Sequence, residues 1–249
     1  MKILLWDIET WPLVVTSWTL WPKDGLGHHN LLKDFGIICA AWKWLGEREV
    51  HATWISMLHP DNDLDVVKAL HKVLSEADVI VAHNGDEFDL KKFNARAVYH
   101  GLKPLPPIKT IDTKKVAKKH FAFTSNRLDA LGDFLGVGRK IPTNFGMWLA
   151  IMKGGREGAD ALAKMVKYNK QDVRLLEDVY LKLRPYMLDH PNENLFSTAP
   201  EVCPVCGGIK FIEKGLRYTR VTAKQKYQCK SPTCGAWFTG GTVKKVSLS

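Results

Sequence analysis

The order of its short apolar runs constrains the fold of this chain more than any other feature. Residues 2–6 (Lys-Ile-Leu-Leu-Trp), continuing through Asp7, Ile8 and Glu9, read as a buried strand, and residues 37–44 and 50–55 read as two more. Gly46 and charged residues between the latter two predict a hairpin. Helical spacing appears only afterwards, with Leu64, Val67, Leu70 and Leu74 over residues 62–75. Val79-Ile80-Val81-Ala82 is a fourth strand. Residues 87–99 read as a helix with Phe88, Phe93 and Val98 as candidate core positions, and 108–111 as a fifth strand after the loop marked by Pro104, Pro106 and Pro107. Helices broken at Gly136, Gly138, Pro142 and Gly154-Gly155 follow, the last running from about Ala159 to Leu183 and stopping before Pro185. Strands first, then strands alternating with helices, predict an α/β fold: a mixed sheet flanked by helices.

A chain of 249 residues has room for one such domain and a small satellite. The proline-marked stretch 186–200 is the expected linker between a domain at 1–185 and a C-terminal segment at 201–249. That segment is chemically distinct. It carries nine basic and two acidic side chains, so it holds +7 of the chain's formal +10. A basic satellite on a nearly neutral body points to a polyanionic partner, with solubility as the simpler alternative.

Four of the five cysteines also lie in this segment, in two tight turns: Cys203-Pro-Val-Cys206-Gly-Gly and Cys229-Lys-Ser-Pro-Thr-Cys234-Gly. The start of the chain runs from an apolar stretch at once into Asp7 and Glu9, unlike a secretion signal, and no apolar run is long enough to span a membrane. The expected setting is therefore a reducing, cytoplasmic one, where paired cysteines favour metal over disulfides. The 22 residues between the pairs hold Phe211, Ile212 and Tyr218, enough for a hairpin. The segment resembles a zinc ribbon with four cysteine ligands and one structural Zn²⁺, closed to substrate. Such a segment is too small for a core of its own, so metal binding would drive its folding. Cys39, alone in an apolar strand, is a core residue on this reading.

Asp7 and Glu9 are two apart on a strand, so both side chains face the same way. Two adjacent acids at the end of an apolar strand repel each other. A hard divalent cation such as Mg²⁺ or Mn²⁺ explains them, although a strand end in water would also tolerate them. Asp89 follows a buried strand, where the next helix begins. Tyr168 and Asp172 lie four apart on one face of the last helix, beside an apolar stripe of Leu162, Met165, Val166, Val173 and Leu176. Taken alone, Tyr168 reads as a core-edge tyrosine and Asp172 as a solvated surface acid.

Together these residues form a pattern: Trp-Asp7-Ile-Glu9-Thr, then Asn84-x-x-x-Phe88-Asp89, then Tyr168-x-x-x-Asp172. The pattern resembles the three motifs of the DEDD exonuclease superfamily in its tyrosine subtype, a group that includes polymerase proofreading domains and shares a ribonuclease H-like fold. The resemblance covers roughly residues 1–185. It implies that Asp7, Glu9, Asp89 and Asp172 hold two Mg²⁺ or Mn²⁺ ions for an in-line phosphoryl displacement. It implies that Tyr168 orients the attacking water. As a general base the phenol is poorly suited, since its free pKa is about 10. It implies that Asn84 helps fix the site or the terminal nucleotide. Asp86 is a near neighbour that the motif spacing disfavours, and Asp112 is a candidate for a supporting role.

The implied activity is 3′→5′ hydrolysis of phosphodiesters at single-stranded DNA or DNA 3′ ends, in proofreading beside a polymerase or in DNA processing. RNA is the alternative substrate. A catalytically inactive nucleic-acid-binding module is the alternative of another class, disfavoured because all four acids and the tyrosine are present. The Tyr-x-x-x-Asp helix argues against a transposase-like endonuclease. Trp11, Trp18 and Trp21 follow the first motif and are expected to pack their loop against the core rather than to stack on bases. Lys114, Lys115, Lys118 and Lys119 share one predicted helix, which suits a phosphate path and a solvated face equally. The C-terminal ribbon could grip nucleic acid or dock a partner protein.

Overall fold

A computed structural model describes residues 1–187, 189–197 and 201–246. Residues 188 and 198–200 of the expected linker, and 247–249 of the tail, lie outside the described residues. The elements run β1 (Ile3–Thr10), β2 (Val14–Val15), β3 (Leu31–Lys33), β4 (Ile37–Trp44), β5 (His51–Trp54), α1 (Leu64–Ser75), β6 (Val79–Ala82), α2 (Asp89–Tyr99), β7 (Lys109–Asp112), α3 (Thr113–His120), α4 (Leu128–Phe134), α5 (Phe145–Lys153) and α6 (Gly155–Leu183). Three strands close the chain: β8 (Phe211–Tyr218), β9 (Thr222–Cys229) and β10 (Trp237–Lys245). No helix among the described residues is long and apolar enough to cross a membrane.

The first five long strands make one mixed sheet in the order β5-β4-β1-β6-β7. β1 is its centre, antiparallel to β4 and parallel to β6, as the apolar run at its start requires of a strand buried on both faces. Leu4, Trp6 and Ile8 of β1 share a core with Ile38 and Ala40 of β4, Ile80 of β6, Val66, Leu70 and Leu74 of α1, and Phe93 and Ala97 of α2. Full burial of these large side chains contributes about 1.5–3 kcal/mol each.

α2 corrects two expected core positions. Phe88 and Val98 are exposed, and only Phe93 is fully buried. The helix begins after Phe88, at Asp89. Val98 lies five residues beyond Phe93, too far around a 3.6-residue turn, so Ala97 at the fourth position takes the buried place.

One buried polar cluster ties three elements together. Asp63, fully buried just before α1, accepts at Oδ2 from the Ile37 amide at the start of β4 (2.9 Å) and Arg96 Nε on α2 (2.7 Å), and at Oδ1 from a terminal Arg96 nitrogen (2.6 Å); His100 Nε2 lies 2.6 Å from the same Oδ1. Burial alone would raise the Asp63 carboxyl, but the Arg96 guanidinium, the Ile37 amide and His100 hold it below its ordinary value. Asp63→Asn should therefore lower stability by about 2–3 kcal/mol at neutral pH, because it leaves the largely buried Arg96 guanidinium without its counter-charge. A carboxyl held low contributes stability that is present above its unfolded pKa and lost as pH falls through the folded one. The gap between parent and variant in denaturant melts should thus close below about pH 4.

Two compact units can be distinguished: Lys2–Asp112 with Arg139–Leu176, and Thr113–Gly138 with the chain from Glu177 onward. The first contains the mixed sheet. The second contains α3, α4, the end of α6 and the antiparallel sheet β10-β9-β8.

Candidate active site

β1 carries Asp7 and Glu9 on one face, opposite Ala41 and Cys39 of β4. α6 presents Tyr168, Asn169 and Asp172 to them. One oxygen each of Asp7, Glu9 and Asp172 lie within 4.8 Å of one another. Asp89 stands beside this trio rather than within it. It is 2% exposed at the start of α2, and its Oδ1 accepts the Ile8 amide at 3.1 Å, so the carboxylate is fastened to the strand that carries the other two acids.

The loop before α2 is tightly built. Asn84 has φ 67°, uncommon for a residue other than glycine, and its amide donates to Asp112 Oδ1 at 2.9 Å, while its carbonyl accepts the Phe88 amide at 3.0 Å. Gly85 is needed there for space: a Cβ would sit 2.3 Å from that of Ala82. Asp112, buried at the end of β7, thus shapes the turn that delivers Asp89, whereas Asp86 is half-buried on the turn itself.

These acids crowd one another, with Asp7 and Glu9 half-buried and Asp89 and Asp172 buried. Burial first, then Asp89, Glu9 and Asp172, push the Asp7 carboxyl well above its ordinary value. Glu9 is pushed up to about 8 by burial and Asp172. Asp89 is pushed up to about 7, chiefly by burial and Asp112, against the opposing pull of the Ile8 amide. Each of these shifts signals that the site favours added positive charge. The donors are all carboxylate oxygens, three of them already converged, which is the ligand chemistry of Mg²⁺ or Mn²⁺.

Two residues escaped the sequence reading. Lys140 brings an ammonium into the cluster: its Nζ donates to Asp172 Oδ2 at 2.5 Å and to the Tyr168 hydroxyl oxygen at 3.2 Å. Burial opposes its charge, but Asp172 and Asp7 outweigh burial and raise its pKa. Asn169, fully buried, donates from Nδ2 to Asp7 Oδ2 at 2.6 Å, and its Oδ1 lies 3.9 Å from the Cys39 thiol. Cys39 is thus a core residue as expected, packed behind the acids. The Tyr168 phenol is pushed above its ordinary value by burial and by Asp172, so it keeps its proton at neutral pH.

A cavity of about 420 Å³ opens at the end of β1, lined by Thr10, Trp11, Phe35, Lys92, Asn144 and Trp148 among others. Trp11 is buried, its indole donating to the Asp34 carbonyl at 3.1 Å. Trp18 and Trp21 are fully exposed, contrary to expectation. They belong to the connection between β2 and β3, a short hairpin that leads residues 16–30 away from the core rather than across it.

The second constellation is the cysteine cluster. One sulfur each of Cys203, Cys206, Cys229 and Cys234 lie within 4.8 Å of one another, and none is in a disulfide. Each pair sits on a turn closed through glycine with positive φ, Gly207 at 72° and Gly235 at 61°, a conformation other side chains rarely adopt. Backbone amides already point at the sulfurs: Gly208 at Cys206 Sγ and Ser231 at Cys229 Sγ, both 3.4 Å. The hairpin expected between the pairs is β8–β9, and β10 extends it to three strands.

The sequence matches the RNase H superfamily over residues 33–184. The chain belongs to the RNase H superfamily. Its five-stranded mixed sheet is the ribonuclease H-like fold. The matched stretch includes Asp89, Tyr168 and Asp172 and begins after Asp7 and Glu9. No curated protein sequence matches the chain. Among solved structures, the family B DNA polymerase from the hyperthermophilic archaeon Pyrobaculum calidifontis is similar, with a TM-score of 0.52 and 14% identity. That alignment covers 74% of this RNase H superfamily member and 25% of the polymerase, so the chain spans about a quarter of the polymerase's length. At this identity the likeness is one of fold.

Proposed function

We propose that this RNase H superfamily member is a divalent-metal-dependent 3′→5′ exonuclease of the tyrosine-subtype DEDD kind, acting on DNA 3′ ends. One observation carries the reading: Asp7, Glu9 and Asp172 converge within 4.8 Å, with Asp89 fastened to the same strand and Tyr168 one turn before Asp172. Asp7, Glu9, Asp89 and Asp172 would hold two Mg²⁺ or Mn²⁺ ions. When bound, such ions lower the pKa of water and neutralise charge on a phosphodiester.

The protein's own groups supply the rest. Asn169 fixes the Asp7 carboxylate through one oxygen. The Tyr168 oxygen accepts from Lys140, which leaves the phenolic hydrogen to orient the attacking water. Lys140 also adds a positive charge close to the scissile phosphate. The cavity at the end of β1, with Trp11, Phe35 and Trp148 in its walls, takes the terminal nucleotide, and Asn84 supports the turn that holds Asp89. The four converging cysteines would hold one structural Zn²⁺ as a ribbon.

The test is a 5′-labelled single strand incubated with Mg²⁺ and with EDTA, in matched DNA and RNA versions. A descending ladder that needs the metal and favours DNA is expected; metal-independent cleavage, or none, overturns the reading. Tyr168→Phe should slow turnover at saturating substrate by roughly 10–100-fold, the scale of a misplaced reactant, while leaving KM within a few-fold. Unchanged turnover would return Tyr168 to a packing role.

A further inference from the structure

The second compact unit holds a cavity that the active-site chemistry does not use. Its volume is about 900 Å³, and every residue lining it belongs to that unit. One wall is the end of α6 and the turn beyond it, with Asp178, Lys182 and Tyr186. Another is the loop that carries Cys234, continuing to Trp237. Two aromatic residues are among those lining it. Tyr186 is 59% exposed, and its ring is braced edge-on against Phe121 at 5.1 Å. Trp237 is 55% exposed, and its backbone is fixed opposite Gln228 in the β9–β10 pair. A ring braced on one side and open on the other, as at Tyr186, is a stacking platform, because little side-chain freedom remains to be lost on binding, and Trp237 offers a second exposed ring on a paired strand.

Charge selects the occupant. This unit carries sixteen basic and eight acidic side chains, so +8 of the formal +10 belongs to it. Lys182 and His120 line the cavity itself, with Asp178 as the acid among the lining residues. Lys118 and Lys119 are exposed on α3, and the nine basic side chains of the C-terminal segment lie in the same unit. Aromatic rings also dock proline-rich peptides, but that recognition needs no cationic surround. Exposed rings inside a strongly cationic unit match the alternating bases and phosphates of an unpaired strand.

We propose that this cleft is a second nucleic-acid site, in which Tyr186 and Trp237 stack on bases of a single strand while Lys182 and the surrounding basic residues hold its phosphates. The proposal rests on the nuclease reading for its biological sense, but binding can be measured without catalysis. Fluorescence anisotropy of labelled oligothymidylate and oligouridylate of about twenty nucleotides, with no divalent ion added, reads it directly.

Tyr186→Ala with Trp237→Ala should weaken binding at least about tenfold, the loss expected for two stacked bases. Tyr186→Phe with Trp237→Phe keeps both ring faces and should stay near the parent. An abasic strand of the same length should bind parent and alanine variant alike. Unchanged binding by the alanine variant would overturn the proposal and leave a protein as the better occupant. Equal weakening of both double variants would overturn it too, since shape rather than stacking would have been lost. Cleavage of a labelled strand by the parent, followed in parallel with Mg²⁺, separates the two claims. Cleavage with unchanged variant binding removes only the cleft, and absent cleavage with weakened binding removes only the exonuclease.

Discussion

Asp7→Asn is expected to leave the chain folded while reducing phosphodiester hydrolysis by about three orders of magnitude or more. Metal stabilisation of transition-state charge is worth several kcal/mol, and each ~1.4 kcal/mol is tenfold in rate. Asparagine keeps an oxygen to accept from Asn169 Nδ2, so this part-buried hydrogen bond survives. What it removes is a charge that Asp89, Glu9 and Asp172 all oppose. Melting temperature measured without added Mg²⁺ should therefore hold or rise. Cleavage of a 5′-labelled strand in Mg²⁺ and in Mn²⁺ is the second measurement. A variant that cuts within tenfold of the parent would show that Asp7 is no ligand, and a marked fall in melting temperature would make it a structural residue. The pairing of lost activity with retained stability separates a metal site from a polar corner of the core, since a satisfied buried polar group destabilises when altered.

How far the site could be read from the sequence depended on how local each signal is. β1 was legible because alternation is a property of neighbouring residues, and it fixes Asp7 and Glu9 to one face before any tertiary structure is known. Helical spacing put Tyr168 and Asp172 on one face, but taken alone it read Asp172 as a solvated surface acid, whereas Asp172 is buried at 1% exposure. That the three carboxylates converge depends on β1 lying at the centre of the sheet under α6, which no local pattern specifies. The tyrosine motif supplied the link.

Lys140 had no such signal. It sits in an irregular stretch 32 residues before Asp172, between Arg139 and Ile141, where no periodicity assigns it a face. Asn169 was hidden inside a motif whose other positions drew attention, although its place beside Tyr168 on a buried helix offered a clue. Val98 failed because apolar character alone does not say which side of a helix a residue occupies. Trp18 and Trp21 failed because large aromatics are usually buried, and the short β2–β3 hairpin that carries them outward has almost no strand of its own to read.

Loss of the proposed Zn²⁺ should unfold the C-terminal sheet and spare the mixed sheet. The buried residues at the centre of β8–β10 are Cys203, Cys229 and Ala236, with Val205, Cys206, Cys234 and Phe238 packed around them. Four of these seven residues are the proposed ligands, so the sulfurs take the place that aliphatic side chains fill in a larger domain. The rings of Phe211, Tyr227 and Phe238 meet at 5.3–5.4 Å but form only a small apolar layer. Without an ion the crowded thiols must share protons: Cys203 is pulled down to about 5 by its hydrogen bond with Cys234, while burial pushes Cys206 up to about 11. A bound cation resolves that conflict, and structural zinc contributes about 10–16 kcal/mol near neutral pH, more than a sheet of this size gains from apolar burial. Cys203→Ser should therefore abolish the one-to-one zinc content of the purified protein and remove amide-exchange protection over residues 211–245. Protection over β1, β4 and β6, whose core is apolar, should persist. Full protection of β8–β10 in a zinc-free protein would show that the strands hold themselves together and that the four sulfurs are not a structural metal site.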